Sequence, residues 1–145
     1  MDRTVMASGA RGVVAAMAMT GLRRMTKAVG LVAEAPPDEL ARRGTGTAGL
    51  MARVPASFRD PALELAHWTV GGVGGAVFGA VVAPRTRHVA VGPVYGLAIW
   101  AAFEAVAVPL LGLEESRARP LRERAAIAAD HVLYGLIVAP RTPPR

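Results

Sequence analysis

Between Leu65 and Ala83 the chain carries 19 residues without a full charge, and within them His67, Gly71, Gly75 and Gly79 recur every fourth position. At 1.5 Å per residue, a helix of that length reaches about 28 Å, close to the roughly 30 Å hydrocarbon core of a bilayer. Residues four apart share one face of a helix, so the glycines form a stripe with no side chains to bury. Such a stripe lets a second backbone approach closely, which is how helices associate in lipid, where burial from water drives nothing. His67 opens the stripe one turn before Gly71 and is expected to point toward the partner helix.

Composition supports a membrane reading. Apolar residues make up 52% of the 145 and mean hydropathy is +0.35, which suits one small all-α bundle over 1–145. The net charge of +6 raises nucleic acid as a partner. Nucleic-acid binders, however, gather their cations on a polar surface beside stacking aromatics. Here the arginines flank apolar runs, where they anchor helix ends to anionic head groups and set topology. The expected partner is therefore the lipid bilayer and not nucleic acid. With no cysteine, disulfides, thiolate metal sites and cysteine nucleophiles are excluded. The excess of Ala, Gly, Val and Arg hints at a GC-rich bacterial origin.

Four transmembrane helices are expected, at about 5–22, 61–83, 89–113 and 122–139. The first contains the uncharged stretch Gly12–Leu22, which has the length of a signal-peptide core. Arg23, Arg24 and Lys27 follow it directly, where a cleavable signal would carry small residues, so it reads as a span with a small-residue stripe at Gly12, Ala16 and Thr20. A long polar loop, 23–60, follows with Pro36-Pro37, Gly44 to Thr47 and Pro55, and a short surface helix is expected near 38–43. Pro61 suits the first turn of the second span and Pro84 its stop. Gly92 and Gly96 repeat the close-packing spacing in the third, whose last turns Pro109 should bend. The fourth carries Asp130 and His131, so it needs neighbours to shield them.

Val81 to Thr86 and Ile137 to Thr142 echo one another as end sequences, and His67 with Gly71 is echoed by His131 with Gly135. Two tandem helical hairpins would produce this pattern, and so would shared end-capping chemistry. The first and third loops hold Arg23, Arg24, Lys27, Arg42, Arg43, Arg53, Arg59, Arg117, Arg119, Arg122 and Arg124. Against these 11, the other side holds 6, namely Arg3, Arg11, Arg85, Arg87, Arg141 and Arg145. The positive-inside rule then places both termini outside.

Ionisable side chains at membrane depth are costly, so each needs a reason. Counted from the first- and third-loop face, His67, Glu104, Asp130 and His131 lie at similar depths of roughly 9–14 Å. One reading is an intramembrane proton or ion site in which Glu104 exchanges protons with His67 or His131 while Asp130 sets their charge. The other, given more weight, is polar glue that fixes helix register. Two imidazoles and two carboxylates could also bind zinc or iron, but no HxxxH or HExxH motif occurs, and no metal or other cofactor is expected. No phosphate loop or nucleophile context is present, so an enzyme is not expected. Trp68 and Tyr95 are expected as interfacial anchors, with Trp100 and Tyr134 packing nearer the interior.

The chain resembles the YagU-like small bacterial inner-membrane proteins of unknown function. The likeness is carried by Gly9 and Gly12, Pro36-Pro37, His67 opening its glycine helix, Gly92-Pro93-Val94-Tyr95-Gly96 leading to Trp100 and Glu104, and His131 with Tyr134-Gly135. It implies a multi-pass envelope protein and no particular activity. Two functions follow as expectations. The first is a structural or accessory membrane subunit whose glycine faces (Gly71, Gly75, Gly79, Gly92, Gly96, Gly135) bind its own copies or a larger complex. The alternative is a proton- or ion-linked transporter or channel using Glu104 with His67 and His131.

Overall fold

The computed structural model describes residues 2–32, 47–86, 88–110 and 119–139. Among these, all regular secondary structure is helical. α1 spans Arg3–Ala28, α2 is a short helix at Thr47–Ala52, α3 spans Ala56–Val77, α4 spans Val91–Ala102 and α5 spans Leu121–Val138. α3 continues as a π-helical turn over Phe78–Val82. α4 continues through a second π-helical turn, Phe103–Ala107, and a last turn, Val108–Leu110.

Three helices are long and apolar enough to cross a membrane: Arg3–Ala28, Ala56–Val82 and Val91–Leu110. α5 has the length, at 18 residues, but Arg122, Glu123, Arg124 and Asp130 interrupt it.

The boundaries differ from the sequence expectation at several points. α1 runs six residues past Leu22, because Arg23, Arg24 and Lys27 are good helix formers and nothing breaks the helix before Gly30, which takes a positive φ of 70°. α3 starts at Ala56, with Pro55 at its N-cap, and Pro61 lies inside the helix rather than at its start. The polar loop of 23–60 is correspondingly shorter and carries α2. The surface helix expected near 38–43, Pro36-Pro37 and most of Gly44 to Thr47 lie outside the described residues, as do the echoed Pro140 to Thr142 and the end of the third span, 111–113.

Both π-helical turns end two residues before a proline, Pro84 in one case and Pro109 in the other. A proline ring clashes with the carbonyl one turn back and offers no N–H to it. The wider turn relieves that contact, with Ala83 N–H bonding to Phe78 O at 2.9 Å instead of to the residue four before it.

Small residues hold the helices together. α1 packs antiparallel on α3, with Ser8, Gly12, Ala16 and Thr20 facing Gly79, Gly75, Gly71 and Trp68. A Cβ added at Gly79 would come 2.9 Å from the Ser8 Cβ and Thr4 O, and one at Gly71 2.5 Å from the Ala16 Cβ. α4 packs antiparallel on α5, with Gly92 and Gly96 against Gly135, Ala139 and the His131 backbone. α1 also lies against α5, which joins the two hairpins.

The large aliphatic side chains point the other way. Val70, Val73, Val77 and Val81 form an exposed row on α3 opposite its glycines, and Met6, Val14 and Met17 do the same on α1. The buried apolar centre is small and consists of Ala15, Met19, Phe78, Tyr134 and Val138.

Candidate functional site

Where the two hairpins meet they do not close. α1, α3, α4 and α5 enclose a cavity of about 500 Å³. Its apolar wall includes Met19, Val70, Val73, Ile99, Phe103 and Ile127. Val70 and Val73, which line it on α3, are 69% and 60% exposed, and Leu22, Arg23, Thr26 and Leu63 line it at the end where α1 finishes.

Two phenols close the end nearest the α3–α4 link. Tyr134 donates its hydroxyl to Gly71 O at 2.6 Å, and Tyr95 donates to Gly74 O at 2.7 Å. Phe78 meets Tyr95 edge-on, with ring centroids 5.1 Å apart. Each tyrosine reaches a helical carbonyl on α3 from a different helix, so together they set the gap between α3 and the α4–α5 pair.

The cavity surface is almost wholly apolar, but four ionisable residues stand among its lining. α1 contributes Arg23, α3 contributes His67, and α5 contributes Asp130 and His131. Arg23 lies within coulombic reach of both His67 and Asp130. His131 Nδ1 lies 2.8 Å from Ile127 O. A carbonyl can only accept, so this nitrogen carries the hydrogen.

Thr20 organises the corner behind Arg23. Its hydroxyl donates to Ala16 O at 3.2 Å and accepts from Trp68 Nε1 at 3.2 Å and from Arg23 at 3.3 Å. Two atoms of these side chains, His67 Nε2 and Asp130 Oδ1, are buried without a hydrogen-bond partner among the described residues. Buried polar atoms are usually paired, and these two lie sealed behind the cavity surface rather than on it.

The structure brings His67, Asp130 and His131 onto this one cavity. Glu104 is not among the residues that line it; it lies half-buried on the π-helical turn of α4. Gly71, Gly75 and Gly79 face α1, while Gly92, Gly96 and Gly135 face one another, so these stripes are occupied within the chain. Glu64 precedes His67 by three residues, a spacing seen in carboxylate-histidine metal motifs, but its carboxylate pairs with Arg24. Among the described residues no three His, Asp or Glu side chains converge as a metal cage requires.

Sequence reading overlooked Arg23, assigning it only to topology. Its position three residues after Thr20, on the stripe Gly12, Ala16, Thr20, was the available signal that it turns inward. Tyr95 and Trp68, expected as interfacial anchors, each bond to a neighbouring helix. No protein-family profile, curated protein or solved structure matches this chain.

Proposed function

We propose that this chain is an integral protein of the bacterial inner membrane with four spans, acting as a structural or accessory subunit of the envelope. The observation that carries the membrane assignment is the inverted distribution of side chains. Glycine, alanine and serine line the helix contacts, while Val70, Val73, Val77, Val81, Val14 and Val94 face outward. In water, apolar rows of this extent would drive aggregation; in lipid they match their solvent. The likeness to YagU-like proteins agrees with an envelope protein and adds no reaction. Because the glycine faces are used internally, copies of the chain or other subunits would dock on the outer valine and methionine rows.

α5 is the span in need of support, and its place beside α1 and α4 gives its polar residues cover. The chain has no cysteine, so single-cysteine labelling has no background. Four spans place Thr86→Cys and Ala139→Cys on opposite faces of the membrane from Ser57→Cys and Arg119→Cys. With the positive-inside orientation, an impermeant thiol reagent labels the first pair from outside the cell. Labelling of Arg119→Cys and Ala139→Cys from the same face would remove the fourth span.

The unpartnered His67 Nε2 and Asp130 Oδ1 favour a second reading, proton- or ion-linked transport. In that case Asp130, with His67 and His131, takes the role first given to Glu104. A pH-driven flux in proteoliposomes that survives Glu104→Gln and is lost in Asp130→Asn supports this route. No flux in the unaltered chain ends it.

A further inference from the structure

We propose that the cavity holds one acyl chain of an anionic phospholipid, with the phosphate of its head group at Arg23. This rests on the membrane reading above and goes further by naming the lipid class that the bundle selects.

The cavity has the surface and the reach for a hydrocarbon tail. Its lining is almost wholly apolar and its volume is about 500 Å³, within the roughly 300–1,000 Å³ of small-molecule sites. Along α3 it extends from Leu63 to Val77, about 21 Å of helix at 1.5 Å per residue. One leaflet contributes about 15 Å to the hydrocarbon core, so a tail that starts at the membrane surface can lie in the cavity over its full depth. Val70 and Val73 line the cavity and belong to the exposed row of α3, so its apolar surface is continuous with the surface that meets lipid. Apolar cavity surface does not hold water, and a tail from the surrounding bilayer matches it.

One end of the cavity marks the level of the head group. The uncharged stretch Gly12–Leu22 of α1 stops at Arg23, and the uncharged stretch of α3 begins just after Glu64. The Arg24–Glu64 pair brings these two limits side by side. Leu22, Arg23, Thr26 and Leu63 line the cavity at this end. A tail that enters here leaves its phosphate beside Arg23, while His67 Nε2 and Asp130 Oδ1 stay sealed away from it.

Arg23 has the capacity to bind that phosphate. It is half-buried, and among the described residues its guanidinium makes one hydrogen bond, to Thr20. No carboxylate among the described residues forms an ion pair with it, whereas Arg24 is taken by Glu64. Its Nε and Nη1 have no partner there and are not among the sealed atoms, so their N–H groups are accessible. Asp130 acts on Arg23 at coulombic range without pairing with it. A guanidinium presents its donors as a fork that matches two phosphate oxygens. In a neutral phospholipid the phosphate carries a cationic partner, which Arg23 and the nearby Lys27 repel, so a head of net negative charge is favoured.

The test uses the full chain in phosphatidylcholine nanodiscs containing a trace of phosphatidylglycerol with a diazirine in one acyl chain. Illumination should give saturable crosslinks on peptides of α3 and α5, which line the cavity. A matched phosphatidylcholine probe should label about tenfold less, as the loss of one charge-assisted contact implies. Arg23→Gln should erase that preference. Arg122→Gln, which removes an exposed cation away from the cavity, should leave it within about twofold. Ala126→Phe and Val73→Phe fill the cavity from α5 and α3, and each should lower saturable labelling by both probes about tenfold.

Equal labelling by the two probes, or a preference lost equally in Arg122→Gln, overturns the head-group assignment. Competition by hexadecanoate equal to that by unlabelled phosphatidylglycerol overturns the phospholipid in favour of a free fatty acid. Labelling that never saturates, or that the cavity-filling variants leave intact, overturns the site; should one of those two fail to fold, the other decides. A chain that will not insert into nanodiscs, or that washes from membranes at alkaline pH, defeats the membrane reading instead. A chain that inserts and shows no saturable labelling defeats only this proposal.

Discussion

The two helical hairpins solve the same packing problem with different reserves. In the α1–α3 pair, Ser8, Gly12 and Ala16 interlock with Gly79, Gly75 and Gly71, and Trp68 to Thr20 and Arg24 to Glu64 tie the far end. The α4–α5 pair relies on Gly92 and Gly96 against Gly135, Ala139 and the His131 backbone, and one of its helices carries Asp130 and His131. Close packing in lipid gains its energy from contact, so a short seam has less to lose before it opens. The shorter seam also holds the helix that most needs its neighbours. The α4–α5 contact should therefore be the weaker point of the fold, although its atoms are closer.

The largest expected effect follows from that contrast. A Cβ at Gly96 would lie under 3.0 Å from the His131 carbonyl, which is backbone and cannot swing aside. Gly96→Leu should cost at least about 3 kcal/mol and release α5, as overpacking against rigid atoms does. Unfolding in mixed micelles, followed by far-UV circular dichroism, reads this directly. Gly75→Leu meets Ser8 O and the Gly12 backbone and should cost about 2–3 kcal/mol, less because the rest of the longer seam persists. Gly21→Ala is the control: nothing lies within 4 Å of its added methyl, and the change should stay within about 0.5 kcal/mol of neutral or gain slightly from helix propensity. If Gly75→Leu proves more damaging than Gly96→Leu, the ranking of the two hairpins is reversed.

An intermediate effect tests the cavity floor that joins the hairpins. Tyr134 is buried and its hydroxyl reaches Gly71 O, so Tyr134→Phe should lose about 1 kcal/mol. Tyr95→Phe loses an equivalent bond to Gly74 O from a less buried position and should cost somewhat less, on the order of 0.5 kcal/mol. Gly71 and Gly74 keep their helical N–H donors, so neither change leaves a carbonyl unpaired. Equal losses at both positions would show that the floor acts as one unit.

Much of this architecture was legible in residue spacing. The glycine stripes of α3 and α4, and the small-residue stripe of α1, each predicted a close contact, because a four-residue period fixes one face of a helix regardless of its partner. Which proline starts α3 was not legible. The apolar run begins after Pro61, whereas the helix begins after Pro55, and the polar turn Ala56–Asp60 adds no hydrophobic signal. The candidate site was half legible. Depth along a helix can be counted, so His67, Asp130 and His131 were placed at one level, and they share a wall.

Glu104 has a comparable depth but a different direction. The face of α4 that meets the cavity is Tyr95, Ile99 and Phe103, and Glu104 sits one position, about 100°, round the helix from it. Arg23 was missed for the opposite reason. α1 continues past the apolar segment, so a residue assigned to a loop stays on the inward stripe.

The smallest effect separates the two ends of the α1–α3 hairpin. Arg24 and Glu64 form an ion pair 40 residues apart in sequence, which would ordinarily suggest an important tie. Arg24 is 72% exposed, however, so solvent screens its charge in the pair. Exposed pairs of this kind contribute under about 1 kcal/mol, against the larger cost of a single glycine replaced in the seam. Arg24→Ala should therefore shift the unfolding midpoint barely at all in detergent, and raising the salt should erase what remains. A loss as large as that of Gly75→Leu would mean the open end is clamped by charge, and that the glycine seam is a consequence of the hairpin rather than its cause.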